Sequence, residues 1–180
     1  LIMTDALKPI SELPAFSQLF QTLSNPFIGL LAGTVITAII QSSSASVAIL
    51  QTAASTGMVP FSAAVPIILG QNIGTCITSL LSSIGASKNA RRAAMVHLYF
   101  NIIGTIIFFI GMYLIQWTVR FPFWDDAVSM SGISYFHITF NVVTTILLLP
   151  FTRVLEKLAV LTIRDKKQVA DRDSDAPDVA

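Results

Sequence analysis

The sequence predicts an all-α membrane fold with a re-entrant helical hairpin, a broken helix and two full transmembrane helices. Three observations carry that prediction. The 180 residues are 53% hydrophobic and 12% charged, with a mean hydropathy of +0.72, whereas a soluble domain has roughly 25% charged residues. Residues 13–87 contain no Asp, Glu, Lys or Arg. Near the middle of that stretch lies Gln41-Ser42-Ser43-Ser44, four adjacent hydrogen-bonding side chains that hydrocarbon cannot satisfy, at a cost of several kcal/mol for each unpaired group. Such a cluster needs a partner, and a polar ligand is the partner expected.

Residues 1–25 mix charge, Pro9, Pro14, Phe16 and Phe20, which suits an interfacial lead-in better than a spanning helix. Residues 26–40 form an apolar run of 15 residues, about 22 Å as a helix, which is short of a hydrocarbon core of about 30 Å. The run therefore stops inside the membrane. The quartet follows at that depth, and a second short run ends at Gly57 and Pro60, so that residues 26–58 read as a hairpin with the quartet at its tip. A single kinked crossing is the alternative. Residues 61–84 are interrupted by Gly70-Gln71-Asn72-Ile73-Gly74-Thr75, the mark of a discontinuous helix. Gly29 and Gly33, like Gly70 and Gly74, also fit the small-xxx-small packing pattern, but for the second pair a break is the expected reading. Residues 93–115 and 135–151 are the two full spans. Between them, residues 116–134 carry Asp125, Asp126, Arg120, Trp117 and Trp124, as an interfacial loop does.

Lys88, Arg91 and Arg92 precede the first full span, and Arg153, Lys157, Arg164, Lys166 and Lys167 follow the second. Both clusters belong on one face, the cytoplasmic one, of a multi-pass plasma (inner) membrane protein. Residues 152–180 are expected to be a cytoplasmic basic segment with a disordered tail from residue 164. An internal repeat relates His97-Leu-Tyr-Phe-Asn101 to His137-Ile-Thr-Phe-Asn141, with Thr105 and Thr145 continuing each face. Every fourth residue shares a helical face, so the two spans are expected to pack antiparallel through these faces, Asn101 bonding Asn141. A scaffold role is preferred here over ligand contact.

Half-helices starting at Ser43 or Ser44 and near Thr75 would aim two helix N-termini at the membrane midplane, where free N–H groups and a partial positive charge bind anions. Ser42, Ser43 and Ser44 would hold an oxyanion, with amide donors from Gln41, Gln71 and Asn72. Free carbonyls at the preceding helix ends, near Ile40 and Gly70, together with Ser and Thr hydroxyls, make hard-oxygen sites for sodium near Gln41, Ser42, Ser43 and Thr75. An anion buried where no Lys or Arg exists needs co-bound cations, and without a carboxylate in the region sodium is favoured over protons.

Several classes fall away. Net charge is +1, which gives no nucleic-acid surface. Cys76 is the single cysteine, so no internal disulfide or multi-Cys metal site forms. No Gly-x-Ser-x-Gly elbow surrounds the serines, which argues against a hydrolase; no enzyme activity and no cofactor are expected. The chain starts at Leu1 without a signal-peptide pattern and reads as an excerpt of a longer one.

The quartet with Ala45-Ser46, the Gly70-to-Thr75 segment some 30 residues on, Ala90-Arg91-Arg92-Ala93 and the two His/Phe/Asn helices together resemble the type II sodium-dependent inorganic phosphate cotransporters. The resemblance covers residues 26–151. It implies a core of two inverted repeats, each with a Gln-Ser-Ser hairpin, in which this chain is the second repeat, half of an inverted-repeat transporter. By that resemblance Gln41, Ser42, Ser43 and Ser44 contact phosphate or sodium, and Gln71, Asn72 and Thr75 belong to the same region, although relatives often carry Ala or Ser where Gln71 stands. The implied partners are inorganic phosphate, sodium ions, the lipid bilayer, and a second repeat from the same full-length protein or a homodimer. A transporter of another small anion, such as sulfate or a dicarboxylate, and a structural membrane module remain the alternatives.

Overall fold

The computed structural model describes residue 5 and residues 9–164; most of the proposed tail lies outside them. Among the described residues the fold is helical, with no strand. We number the helices α1 (Pro14–Leu23), α2 (Pro26–Ile40), α3 (Ser43–Ala54), α4 (Phe61–Ser82), α5 (Lys88–Val119), α6 (Met130–Leu148) and α7 (Thr152–Thr162), with a 3-10 turn over Leu149–Phe151 joining the last two.

Local chemistry sets most of these boundaries. Asn25 caps α2 by accepting from the amides of Phe27 and Ile28 at 3.1 and 3.2 Å, and Pro26 fills the first helical position, where no intrahelical N–H bond is needed. Ser42, Ser87 and Ser129 cap α3, α5 and α6 in the same way. Helix α4 begins after Pro60, which has no capping side chain. Backbone of the α5–α6 loop does the work instead: the amides of Phe61 and Ser62 donate to the carbonyls of Asp126 (2.9 Å) and Trp124 (2.8 Å). Within that mostly exposed loop Trp124 is 9% exposed and packs edge-on against Phe61 and Tyr113, whereas Trp117, which lies within α5, is 75% exposed.

Three helical stretches are long and apolar enough to cross a membrane: Phe61–Ser82, Lys88–Val119 and Met130–Thr162. Helices α1 and α2 form a bent pair, with 105° between them. The segments expected to span, 93–115 and 135–151, lie within the second and third of these stretches.

Helix α4 corrects the expected broken helix. It runs unbroken for 22 residues through Gly70 and Gly74, so no helix N-terminus exists near Thr75 and no free carbonyl end at Gly70. The glycines serve contact. A Cβ on Gly70 would overlap the carbonyl oxygen of Leu30, one on Gly74 would meet the Thr37 side chain at 2.8 Å, and one on Gly33 would overlap the carbonyl of Ile67. Helices α2 and α4 therefore touch backbone to backbone along their length, the arrangement small residues permit in membranes. They run parallel, since Gly29 lies at Pro66 and Gly74 lies at Thr34 and Ala38.

Helix α3 then returns. Ser46 meets Gln71 midway along α4, and Gln51 donates to the Met130 carbonyl (3.2 Å) and the Ser134 hydroxyl (2.7 Å) at the start of α6. The start of α6 follows the loop bonded to the start of α4, so the α2–α3 hairpin enters and leaves at one end of the bundle. At the opposite end Arg92 donates to the Ile163 carbonyl (3.1 and 2.9 Å), and Tyr99 bonds Thr162 at 2.6 Å. The basic residues of α5 and α7 are thereby brought to the same end.

Candidate ion and anion site

At the hairpin tip the chain turns in two residues. Helix α2 ends with Gln41 in the left-handed region (φ 58°), and α3 begins at Ser43 with Ser42 as its cap, the Ser42 hydroxyl accepting from the Ala45 amide at 3.3 Å. A non-glycine residue at positive φ is uncommon, and here it is what lets one helix stop and the next start without a loop. The amides of Ser43 and Ser44, in the first turn, have no intrahelical acceptor.

Just behind the tip, three buried side chains tie the hairpin to α4. Thr37 and Ser46 hydroxyls are 2.7 Å apart, and the Gln71 amide donates to both the carbonyl (3.1 Å) and the hydroxyl (3.0 Å) of Ser46. Because a carbonyl can only accept, the Ser46 oxygen fixes which end of Gln71 faces it. Gln71 is 3% exposed and its Oε1 has no hydrogen-bond partner.

Next to this knot lies a cavity of about 290 Å³ lined by Ser43 of α3, Asn72 and Thr75 of α4, His97, Phe100 and Asn101 of α5, and His137 and Asn141 of α6. Asn72 is the twelfth of the 22 residues of α4, so the cavity sits at mid-helix depth. Its hydrogen bonds divide by sign. Asn72, Asn101 and Asn141 donate to the backbone carbonyls of Ile68 (2.8 Å), His97 (3.0 Å) and His137 (2.8 Å), and Thr75 donates to the Gln71 carbonyl (2.8 Å). Each of these asparagines thus spends one of its two N–H donors within its own helix, and its side-chain oxygen, like that of Thr75, keeps lone pairs that suit a hard cation. The α3 N-terminus offers the reverse: N–H groups, the Ser43 hydroxyl and a positive helix end, which suit an anion. Among the described residues no group of three or more His, Cys, Asp or Glu could hold a metal ion.

The sequence-predicted residues are distributed unevenly around this cavity. Ser43, Asn72 and Thr75 line it; Gln41, Ser42 and Ser44 are exposed beside it at the tip; Gln71 is buried behind it. The expected bond between Asn101 and Asn141 is absent. Helices α5 and α6 cross antiparallel where Gly104 meets Thr144 and Phe108 meets Phe140. The two asparagines lie three residues from that crossing on opposite sides, about 9 Å of helix rise apart. Asn141 instead donates to Asn72 Oδ1 at 3.4 Å, and His97 Nδ1 pairs with the Ser79 hydroxyl at 3.0 Å. The His/Asn repeat, read from sequence as scaffold, supplies half of the lining; its signal was the 40-residue recurrence itself.

A family model described as Na+/Pi-cotransporter matches residues 1–124. The "Uncharacterized protein YqeW" of Bacillus subtilis (strain 168) is 33% identical over 148 residues, 82% of this chain and 47% of that protein. The "Putative inorganic phosphate export protein YjbB" of Escherichia coli (strain K12) is 25% identical over 93% of this chain and 31% of its own length. The "Sodium-dependent phosphate transport protein 2B" of Homo sapiens is 40% identical over 91 residues, 47% of this chain and 13% of that protein. No solved structure matches the chain. The chain thus spans less than half the length of these curated relatives. Because that family model covers residues 1–124, the chain belongs to the Na+/Pi-cotransporter family.

Proposed function

We propose that this chain is one half of the transport core of a sodium-coupled inorganic phosphate symporter of the plasma membrane, acting by alternating access and converting nothing chemically. The observation that carries the reading is the cavity at mid-helix depth where the N-terminus of α3, with Ser43, faces oxygen-bearing side chains of α4, α5 and α6. Phosphate binds at the tip through Ser42, Ser43, Ser44 and Gln41. Sodium binds beside it, near Gln41, Ser42, Ser43 and Thr75, with Asn72 completing the oxygen set and Gln71 holding the tip from behind. Residues 13–87 supply no Lys or Arg, and His97 and His137 are the cavity's only titratable side chains among the described residues. One helix N-terminus provides about half a positive charge, too little for a phosphate anion, so bound sodium supplies the balance and thereby couples the two fluxes.

The hairpin's entry and exit at one end of the bundle support a re-entrant element. The exposed tip residues Gln41, Ser42 and Ser44, with Phe27, Leu31 and Ile39 of α2 at 73, 63 and 74% exposure, support a site completed by a second, inverted repeat of the same full-length protein or by a second copy. The name of the Escherichia coli relative speaks of export and that of the human relative of sodium dependence; the reading adopted here is sodium-coupled symport. Full-length protein in proteoliposomes should take up radiolabelled phosphate only under an inward sodium gradient. Uptake indifferent to sodium would remove the coupling, inhibition by excess sulfate would move the substrate to another anion, and no uptake or binding at all would leave a structural module.

A further inference from the structure

We propose that the outer face of α7 is a binding surface for anionic phospholipid of the cytoplasmic leaflet. Helix α7 is two-sided. Leu155 and Ala159 are 4% and 1% exposed, and the end of the helix is fastened to α5 through Thr162 and the Ile163 carbonyl. The other side lines a groove of about 460 Å³ with Arg153, Glu156, Lys157, Val160 and Leu161, residues spaced i, i+3, i+4, i+7 and i+8 and so on one helical face. Arg153 and Lys157 are exposed at its start, and Leu161 is 62% exposed one turn on. Val154 beside them is 50% exposed.

Charge and shape select the occupant. Two basic side chains against one Glu156 leave the face net positive, in contrast to the other end of the bundle, where the α5–α6 loop carries Asp125 and Asp126. Basic side chains four residues apart receive a phosphodiester, Arg through a planar fork and Lys as a point charge. The adjacent exposed Val154, Val160 and Leu161 meet acyl chain. A zwitterionic lipid offers the same apolar contact without net charge, so the face distinguishes headgroups by sign. Each basic residue near an anionic surface is worth a similar increment, and Arg153 and Lys157 together favour anionic over zwitterionic lipid by roughly thirtyfold.

The test uses the full-length protein, purified in mild detergent with equal amounts of phosphatidylglycerol and phosphatidylcholine, and native mass spectrometry to count retained lipids. Wild type should retain phosphatidylglycerol selectively. The double variant Arg153→Gln/Lys157→Gln, exposed on the helix and so expected to fold, should lose most of that selectivity, while Arg120→Asn at the other end should keep it. Equal retention of both lipids by wild type, or undiminished selectivity in the double variant, overturns the proposal; the second outcome would assign the selectivity to other basic residues or leave the groove to the chain's own residues 165–180. Neither result depends on sodium or phosphate, so this assignment stands or falls apart from the transport reading.

Discussion

Ser43 is the one residue of the polar quartet that both starts a helix and lines the cavity. Replacing its hydroxyl with hydrogen removes a bond to a charged ligand, worth about 1.5–3 kcal/mol, so Ser43→Ala should weaken phosphate binding about tenfold to a hundredfold with thermal unfolding unchanged. Unaltered phosphate dependence of uptake in that variant would return Ser43 to a packing role. Gln71 works differently, through Ser46. In Gln71→Met the two bonds to Ser46 disappear, but so does the orphaned Oε1, whose burial costs about 1–3 kcal/mol. These contributions oppose each other, and stability should move by less than about 1 kcal/mol, while the tip loses its tether and apparent phosphate affinity falls. A variant that unfolds sooner yet transports with wild-type affinity would show that the amide only holds the core. Sequence alone could nominate Gln71 as polar and deep. It could not show that the amide is engaged by Ser46 from a separate helix, because that contact bridges 25 residues.

At the scale of the element, the glycines of α2 and α4 carry the sharpest expectation. Gly70→Ala places a methyl group against the Leu30 carbonyl with backbone on both sides, and overpacking of this kind costs about 1–3 kcal/mol or more; yield of monodisperse protein after detergent extraction should drop steeply. Gly111→Ala in α5 meets nothing within 4 Å and should be tolerated or stabilise the helix by up to about 1 kcal/mol. Equal behaviour of the two variants would contradict the packing described. The same glycines explain what was legible. Helix α2 could be bounded at 26–40 from sequence because Asn25-Pro26 and the quartet are local signals. Gly70 and Gly74 are ambiguous locally: a glycine in apolar sequence either interrupts a helix or admits a neighbour, and only the presence of Gly29 and Gly33 on a parallel partner decides it. The His/Asn repeat was visible for the same reason that its role was not. Periodicity gives the face of a helix, while antiparallel register, set here at Gly104 and Thr144, gives what that face meets.

For the whole molecule, the two ends of the bundle differ in charge and should differ in address. In cells, Asp125→Cys should be labelled by a membrane-impermeant maleimide added outside, and Ala90→Cys only after permeabilisation, each compared with the unsubstituted protein, in which Cys76 is buried. The reverse pattern would invert the topology, and labelling of both from outside would remove it. A larger consequence follows from the contact between α2 and α4. Two backbones that touch through Gly33, Gly70 and Gly74 cannot slide past each other by fractions of a turn, since interdigitated surfaces have discrete seats rather than a continuum. In the proposed transport cycle the hairpin is therefore not a plunger that withdraws from the bundle; α2, α3 and α4 should travel as one solid piece, and whatever opens the cavity should hinge at α5 and α6 or against the proposed second repeat. Spin labels at Ile39→Cys and Leu81→Cys, both exposed, should hold one separation with sodium and phosphate present or withdrawn, and a separation that changes with the ions would put the moving joint inside the hairpin after all.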